Sequence, residues 1–331
     1  MVIHKQDKDI KGSLLTVRKD VKVFDATVRD GGLINDHYWD DDFVRTIYDT
    51  CVAANIDYME IGYKNSAKIL APAKFGPWKH CAEDDIRRVI EDNPSDLKIS
   101  VMADAERVDY HTDIVPRDQS PLDVIRVATY IHQLPTAVDM IKDAHDKGYE
   151  TFVNIMALST VSDRALAEGL DILAKTPVDV IVIVDSFGSL YPEQVRDYAL
   201  TYLKAVEGTG KEIGMHAHNN QELAFANTIQ AMMMGVSCLD ATINGIGRGA
   251  GNCSLELLVG FLKNPKFNLR PILETISKVF VPLRKDIEWG PMIPYILTGQ
   301  LNMHPRSAIK MRAGDKPDDY GPFYDELLEG Q

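Results

Sequence analysis

The chain is predicted to be an α/β protein, a (β/α)8 TIM barrel with a helical C-terminal appendage, and three observations predict it. Short apolar runs bounded by turn residues recur at intervals of roughly 25–35 residues, and an amphipathic helical pattern follows most of them. Eight such units between residues 20 and 264 match the count of a closed barrel. The runs are β-branched without strict alternation, as in strands buried on both faces of a parallel sheet. An open doubly wound sheet is the alternative, but no G-x-G-x-x-G turn follows the first strand.

Taken in order, the first strand is VKVFDAT (21–27), with a helix in DFVRTIYDTCVAAN (42–55). IDYMEIGY (56–63) precedes a helix at 83–92, and LKISVMAD (97–104) is the third strand. VIRVATYI (124–131) leads to a helix around 136–147, and ETFVNIMAL (150–158) to one at 162–175 with Ser162 as its N-cap. VDVIVIVDSFG (178–188) leads to 192–206, where Pro192 suits a first helical turn with Glu193 behind it. EIGMHAHNN (212–220) precedes 221–235, and CLDATINGIG (238–247) precedes 254–263. Beyond residue 265 the rhythm breaks at Pro271, Pro282, Pro291, Pro294 and Pro305, with helical stretches at 271–285 and 293–300. The tail after Lys316 carries only acidic charges. A catalytic barrel over 20–264 and a helical extension over 265–331, expected to lean on the barrel and to form a homo-oligomer contact, follow from this.

Charge and composition narrow the function. A net charge of -13, from 36 Lys+Arg against 49 Asp+Glu, repels phosphate backbones, so no nucleic-acid partner is expected. No apolar run is long enough to span a membrane, and MVIHKQDKDIKGSL is charged without an apolar core, so a cytoplasmic protein is expected. Cys51, Cys81, Cys238 and Cys253 have no C-x-x-C spacing and are expected to be buried, inert thiols.

In a barrel the reactive residues collect at the carboxyl ends of the strands. His216-x-His218 is the strongest signal there, because residues i and i+2 of a strand point to one face and both imidazoles can reach one cation. Asp30, after the first strand and therefore beside the eighth, is the natural carboxylate to complete the set. The rival reading of the two histidines is satisfaction by backbone hydrogen bonds. Arg29 is either a surface cation or a two-pronged grip on a carboxylate or enolate oxygen. Arg29 and Asp30 can converge on one ligand only if the strand has ended, and Gly31-Gly32 would permit a sharp turn. The glycine-rich stretch 244–252 either cradles an anion or lets backbone pass close to the site, and Asn252 is a ligand, a support for a ligand, or a helix cap. Tyr63, Ser186 and Asn220, also at strand ends, are candidate substrate contacts.

Four motifs in order, D-A-T-V-R-D-G (25–31), D-S-F-G-S-L-Y-P (185–192), H-A-H-N-N (216–220) and N-G-I-G-R-G-A-G-N (244–252), resemble one superfamily. It is that of the metal-dependent lyases and Claisen-type synthases with an Asp-Arg-Glu barrel signature. It holds 4-hydroxy-2-oxovalerate aldolase, hydroxymethylglutaryl-CoA lyase and the isopropylmalate and homocitrate synthases. The resemblance spans roughly residues 20–263 and implies Mn²⁺ or Mg²⁺ on Asp30, His216 and His218. It further implies Asn252 at or near the metal, Arg29 steadying an enolate, and Glu60 near the substrate. Residues 244–252 lack the cysteine of the hydroxymethylglutaryl-CoA lyases, and the short tail is unlike the longer synthases. The aldolases are the better match, although they place a histidine where this chain has Leu33. His37 is the candidate acid/base in its stead, with Tyr63, His304 or a water on the metal as alternatives. The expected activity is a metal-dependent aldolase acting on a small 2-oxo acid and an aldehyde through a metal-stabilised enolate, with an aldehyde dehydrogenase as the partner the resemblance implies. A Claisen-type acyl-CoA synthase and a catalytically silent barrel used for binding are the competing readings.

Overall fold

The computed structural model describes residues 18–330. Eight parallel strands close into a barrel in sequence order: β1 (Lys22–Asp25), β2 (Tyr58–Tyr63), β3 (Lys98–Asp104), β4 (Val124–Thr129), β5 (Glu150–Ile155), β6 (Val180–Asp185), β7 (Glu212–Ala217) and β8 (Cys238–Ala241). β8 pairs back onto β1, so no sheet edge is left open. The predicted (β/α)8 architecture is the observed one.

The helices are α1 (Thr27–Gly31), α2 (Asp41–Ala54), α3 (Glu83–Ile90), α4 (Leu134–Asp146), α5 (Asp163–Ala174), α6 (Pro192–Ala205), α7 (Ala224–Met234) and α8 (Leu255–Leu262). Ser162 does cap α5, accepting a hydrogen bond from the Ala165 amide, and Pro192 does open α6. The outward strand residues and the apolar faces of these helices form one continuous buried core. Inside the barrel lies a second, smaller layer that includes Phe24, Tyr58, Phe152 and Val180. Phe24 and Tyr58 stack at 5.2 Å, with Phe152 tilted against both. This aromatic layer fills the barrel, and the polar residues of the site stand above it.

Six of the eight strands stop two to six residues before the predicted carboxyl ends, while β2 and β3 end at the predicted Tyr63 and Asp104. VDVIVIVDSFG and EIGMHAHNN, expected as strands to 188 and 220, end at Asp185 and Ala217, and CLDATINGIG, expected to 247, ends at Ala241. Apolar content carried the prediction past the end of the ladder, where the chain turns into site-forming loops. The first strand ends at Asp25 rather than at 27, and the one-turn α1 follows it.

After β8 and α8 come α9 (Leu269–Thr275), which continues through a π turn (Ile276–Phe280) to Leu283, then α10 (Ile293–Gln300), α11 (Arg306–Arg312) and α12 (Tyr320–Glu329). α11 and α12 were not predicted. In α12 the acidic residues mask an apolar pair four apart, Phe323 and Leu327, which is buried against Tyr295 and Ala308. The appendage sits on the loops at the carboxyl end of the barrel. Trp289 Nε1 and Arg284 Nε donate to the backbone and side-chain oxygens of Asn244, and Ser189 Oγ donates to Asn302 Oδ1. Among the described residues no helix is long and apolar enough to cross a membrane.

Candidate active site

The site begins where β1 ends. Asp25 accepts hydrogen bonds from the Thr27 amide (3.1 Å) and hydroxyl (2.6 Å), which turns the chain into α1. Arg29 and Asp30 then face the inside of the barrel mouth, both buried. The chain turns sharply here without left-handed backbone at Gly32, which has φ −62°. A Cβ on Gly32 would lie 2.3 Å from His37 Nδ1, so glycine is needed there for room.

β7 supplies the opposite wall. His216 Nδ1 lies 2.9 Å from Asp240 Oδ2, and His218 Nδ1 lies 2.9 Å from the Asp185 carbonyl. A ring nitrogen facing a carbonyl must donate to it, and one facing a carboxylate is best used as a donor. Both Nε2 atoms are therefore left with free lone pairs aimed at Asp30. They stand 3.3 Å (His216) and 3.7 Å (His218) from Asp30 Oδ2. One ligand atom from each of Asp30, His216 and His218 lies within 4.8 Å of the others. Neither Asp30 oxygen nor His216 Nε2 has an aligned hydrogen-bond partner, although all are buried. Buried polar atoms rarely go unpartnered. A carboxylate and two imidazoles converging in this way fit a divalent cation.

Electrostatics suit a cation at Asp30 and His218, whereas His216 would give up a proton to bind one. Burial raises the Asp30 pKa, but Arg29, His216 and His218 outweigh it and hold the carboxyl well below the usual range. Burial also opposes charging His216, yet Asp240 and Asp30 prevail and raise its pKa. His218, where burial dominates, falls to about 4 and stays a neutral donor.

Around this trio the buried charges close a ring. Arg29 Nε donates to Glu60 Oε2 at 2.6 Å, and Arg126 reaches the same oxygen at 3.4 Å. Arg126 also donates to Asp240 Oδ2 at 2.6 Å, and Asp240 holds His216. Arg29 NH1 lies 3.1 Å from Asp30. Glu60 points inward at a bulge, where β2 slips register against β3 between Glu60 and Gly62. Arg126 lies over the Phe24 ring at 4.1 Å, so the aromatic floor carries the ring of charges. Sequence reasoning missed Arg126 and Asp240. Their signal was a lone charge inside an apolar strand, VIRVAT and CLDA, where both strand faces are buried.

A cavity of about 220 Å³ opens above the ring, and Arg29, Asp30, Tyr63, Ser186, His216 and His218 line it. Arg29 NH2 has no hydrogen-bond partner. Glu60 does not line the cavity and acts on it only through Arg29. Asn252 bridges His218 across the mouth; its Nδ2 donates to the Ile246 carbonyl and its buried Oδ1 has no partner. It caps no helix, since α8 begins at Leu255 behind Ser254. The glycine loop is shaped to this side chain, because a Cβ on Gly247 would meet Asn252 Nδ2 at 2.1 Å. Ser186 Oγ accepts a hydrogen bond from the Ala157 amide. Asn220 is buried beside Gly188 and does not line the cavity. Neither does His37, which packs edge-on against Tyr63 at 5.2 Å. Burial, Lys79 and Arg29 drive the His37 pKa to about 2. Leu33 and His304 do face the cavity. A wider hollow of about 550 Å³ at the amino end of the barrel, near Lys22, Lys98 and Lys266, gathers no such set.

Fold and site together define a barrel enzyme with an Asp/His/His set suited to a metal ion. Residues 20–279 match the HMGL-like family, and the chain belongs to it. It is 33% identical over 271 residues to an oxaloacetate decarboxylase of Mycobacterium tuberculosis, covering 80% of this chain and 76% of that one. To a 4-hydroxy-2-oxovalerate aldolase of Pelotomaculum thermopropionicum it is 28% identical over 252 residues, covering 76% and 72%. Among solved structures, the N-terminal domain of a proposed aldolase from Bacteroides vulgatus superposes with a TM-score of 0.75 at 25% identity, covering 94% of this chain and all of that one. The HMG-CoA lyase of Bacillus subtilis shares the fold, with a TM-score of 0.64 at 17% identity over 81% of this chain and 95% of that one. The chain is thus a lyase-type enzyme of this metal-dependent superfamily.

Proposed function

We propose that this protein is a divalent-metal-dependent aldolase that makes or breaks a carbon–carbon bond of a small 2-oxo acid through its enolate. The observation that carries the reading is the convergence of Asp30, His216 and His218 beside the unpartnered NH2 of Arg29. The names of the two relatives support it. Oxaloacetate decarboxylation and hydroxyoxovalerate cleavage both break the C3–C4 bond of a 2-oxo acid and leave the same pyruvate enolate.

Asp30, His216 and His218 would hold Mn²⁺ or Mg²⁺, with Asn252 Oδ1 as a further candidate oxygen. When bound, the ion supplies Lewis acidity to the oxygens of the 2-oxo acid. Arg29 contributes a fixed positive charge where the keto oxygen gains charge, and Glu60 and Asp30 hold its guanidinium in place. Asp240 and Asp185 fix the imidazole tautomers. Burial pushes the Tyr63 phenol up, so Tyr63 keeps its proton and can donate it to the acceptor oxygen. The neutral His304 is the alternative proton carrier. His37, outside the cavity, is better suited to positioning Tyr63.

The test is exchange of pyruvate methyl protons with deuterated solvent, followed by NMR with Mg²⁺ and without coenzyme A. The reading predicts metal-dependent exchange. Exchange only of acetyl-CoA protons would transfer the protein to the synthase branch, and none with either would leave a binding barrel.

A further inference from the structure

The charges around the cavity do not balance, and the imbalance lies on its rim. In the buried ring two arginines, Arg29 and Arg126, face three carboxylates, Asp30, Glu60 and Asp240. The ring therefore carries one net negative charge. A divalent ion makes it one positive, which the single carboxylate of a 2-oxo acid neutralises. The rim adds four further cations, Lys79, Arg107, Arg248 and Arg306, against one acid, Asp104. Arg107 approaches Asp104 at 4.0 Å. Among the described residues the side chains of Lys79, Arg248 and Arg306 have no carboxylate partner within 4.0 Å. Lys79 is buried on the Tyr63 ring, 3.7 Å from its centroid. In a chain of net charge -13, unpaired cations gathered at one cavity are not a property of the whole surface.

Arg248 and Arg306 come from opposite parts of the chain. Arg248 lies in the glycine loop after β8, between the metal-site histidines and the appendage. Arg306 opens α11 of the appendage, and His304 precedes it, edge-on to Phe187 at 5.7 Å. Burial first, then Arg248 and Arg306, depress the His304 pKa to about 4, so both cations act on one spot. Both arginines line the same cavity as His216 and His218, which places the pair beside the metal site.

We propose that Arg248 and Arg306 form a second anion subsite, and that the fragment joined to or released from the enolate carries its own carboxylate or phosphate. The inference rests on the aldolase reading for its chemistry. It differs from it in requiring a charged acceptor, where a simple aldehyde would need no such cations. Planar guanidinium forks suit both oxyanions, and the rim charge would steer such a substrate into an otherwise repelling protein. The appendage is then part of the substrate site.

Two measurements test this. Isothermal titration of the metal-free protein with inorganic phosphate, and separately with succinate, reads the subsite without turnover. Saturable binding of either is expected, and the stronger of the two identifies the group. Binding should be lost in Arg248→Gln/Arg306→Gln and partly kept in Arg248→Lys/Arg306→Lys, with thermal melts showing that both variants fold. With Mn²⁺ present, condensation of pyruvate with succinate semialdehyde or glycolaldehyde phosphate should exceed that with propanal by about tenfold or more in kcat/KM, the scale of one charge-assisted contact. The glutamine variant should bring that ratio to about one. No binding of either anion by the wild type, equal binding by the glutamine variant, or an unchanged preference would overturn the proposal. Pyruvate proton exchange in the wild type is scored separately. Its absence sinks the aldolase reading, while the titration still decides the subsite.

Discussion

The two ends of the barrel use the same residue types in opposite ways. At the amino end each lysine has its acid: Lys22 with Glu212 at 2.6 Å, Lys98 with Glu150 at 2.5 Å, and Lys266 with Asp57. At the carboxyl end Lys79, Arg248 and Arg306 have none among the described residues, and both carboxylate oxygens of Asp30 and the Nε2 of His216 lack aligned partners despite burial. Paired charges on a surface are closed accounts that a fold can lose cheaply. Unpartnered polar atoms at buried Asp30 and His216 are costly unless something arrives to meet them, while half-buried Arg248 and exposed Arg306 stand at the mouth without a counter-charge. The difference tells which end awaits a ligand.

That contrast can be broken by substitution. Arg126→Met should have the largest effect, because it leaves buried Asp240 with only the His216 imidazole and removes one of the two cations facing buried Glu60. A loss of about 3–5 kcal/mol in urea unfolding is expected. A loss below about 1 kcal/mol would mean that water or neighbouring groups already satisfy the ring. Arg29→Ala should lower turnover on the order of a hundred- to a thousandfold with Mn²⁺ binding little changed. A rise in KM at constant kcat would reduce Arg29 to a ground-state carboxylate grip. Arg29→Lys should behave more like alanine than like arginine, since the fork to Glu60 and Asp30 is lost. Asp240→Asn should weaken Mn²⁺ affinity by about ten- to a hundredfold by releasing the His216 tautomer, measured by equilibrium dialysis. The smallest effect belongs to the other end. Lys98→Gln should change stability by no more than about 1 kcal/mol and leave kcat/KM unchanged. A measurable loss of turnover there would erase the contrast.

Much of this was legible in the sequence, for reasons that also explain what was not. His216 and His218 declare themselves because a strand puts i and i+2 on one face, and Arg29 and Asp30 because they follow a strand end directly. Glu60 was readable as a position, but its task of holding Arg29 depends on a bulge that no local pattern records. Arg126 and Asp240 meet across the barrel interior, 114 residues apart in sequence, so only closure of the sheet reveals them. His37 looked available from its nearness to Asp30, but its positive φ of 65° and its packing under Gly32 turn it away from the cavity. His304 and Arg306 reach the site because an apolar appendage docks on the βα loops, and their own sequence says nothing of where they end up.

The central claim, that Asp30, His216 and His218 hold one divalent ion, is tested most directly by titrating Mn²⁺ into the protein and following free Mn²⁺ by electron paramagnetic resonance. The account predicts about one tight site per chain in the wild type. It predicts loss of that site in His216→Ala/His218→Ala, with a circular dichroism spectrum matching the wild type. A double variant that still binds one Mn²⁺ with wild-type affinity would contradict it.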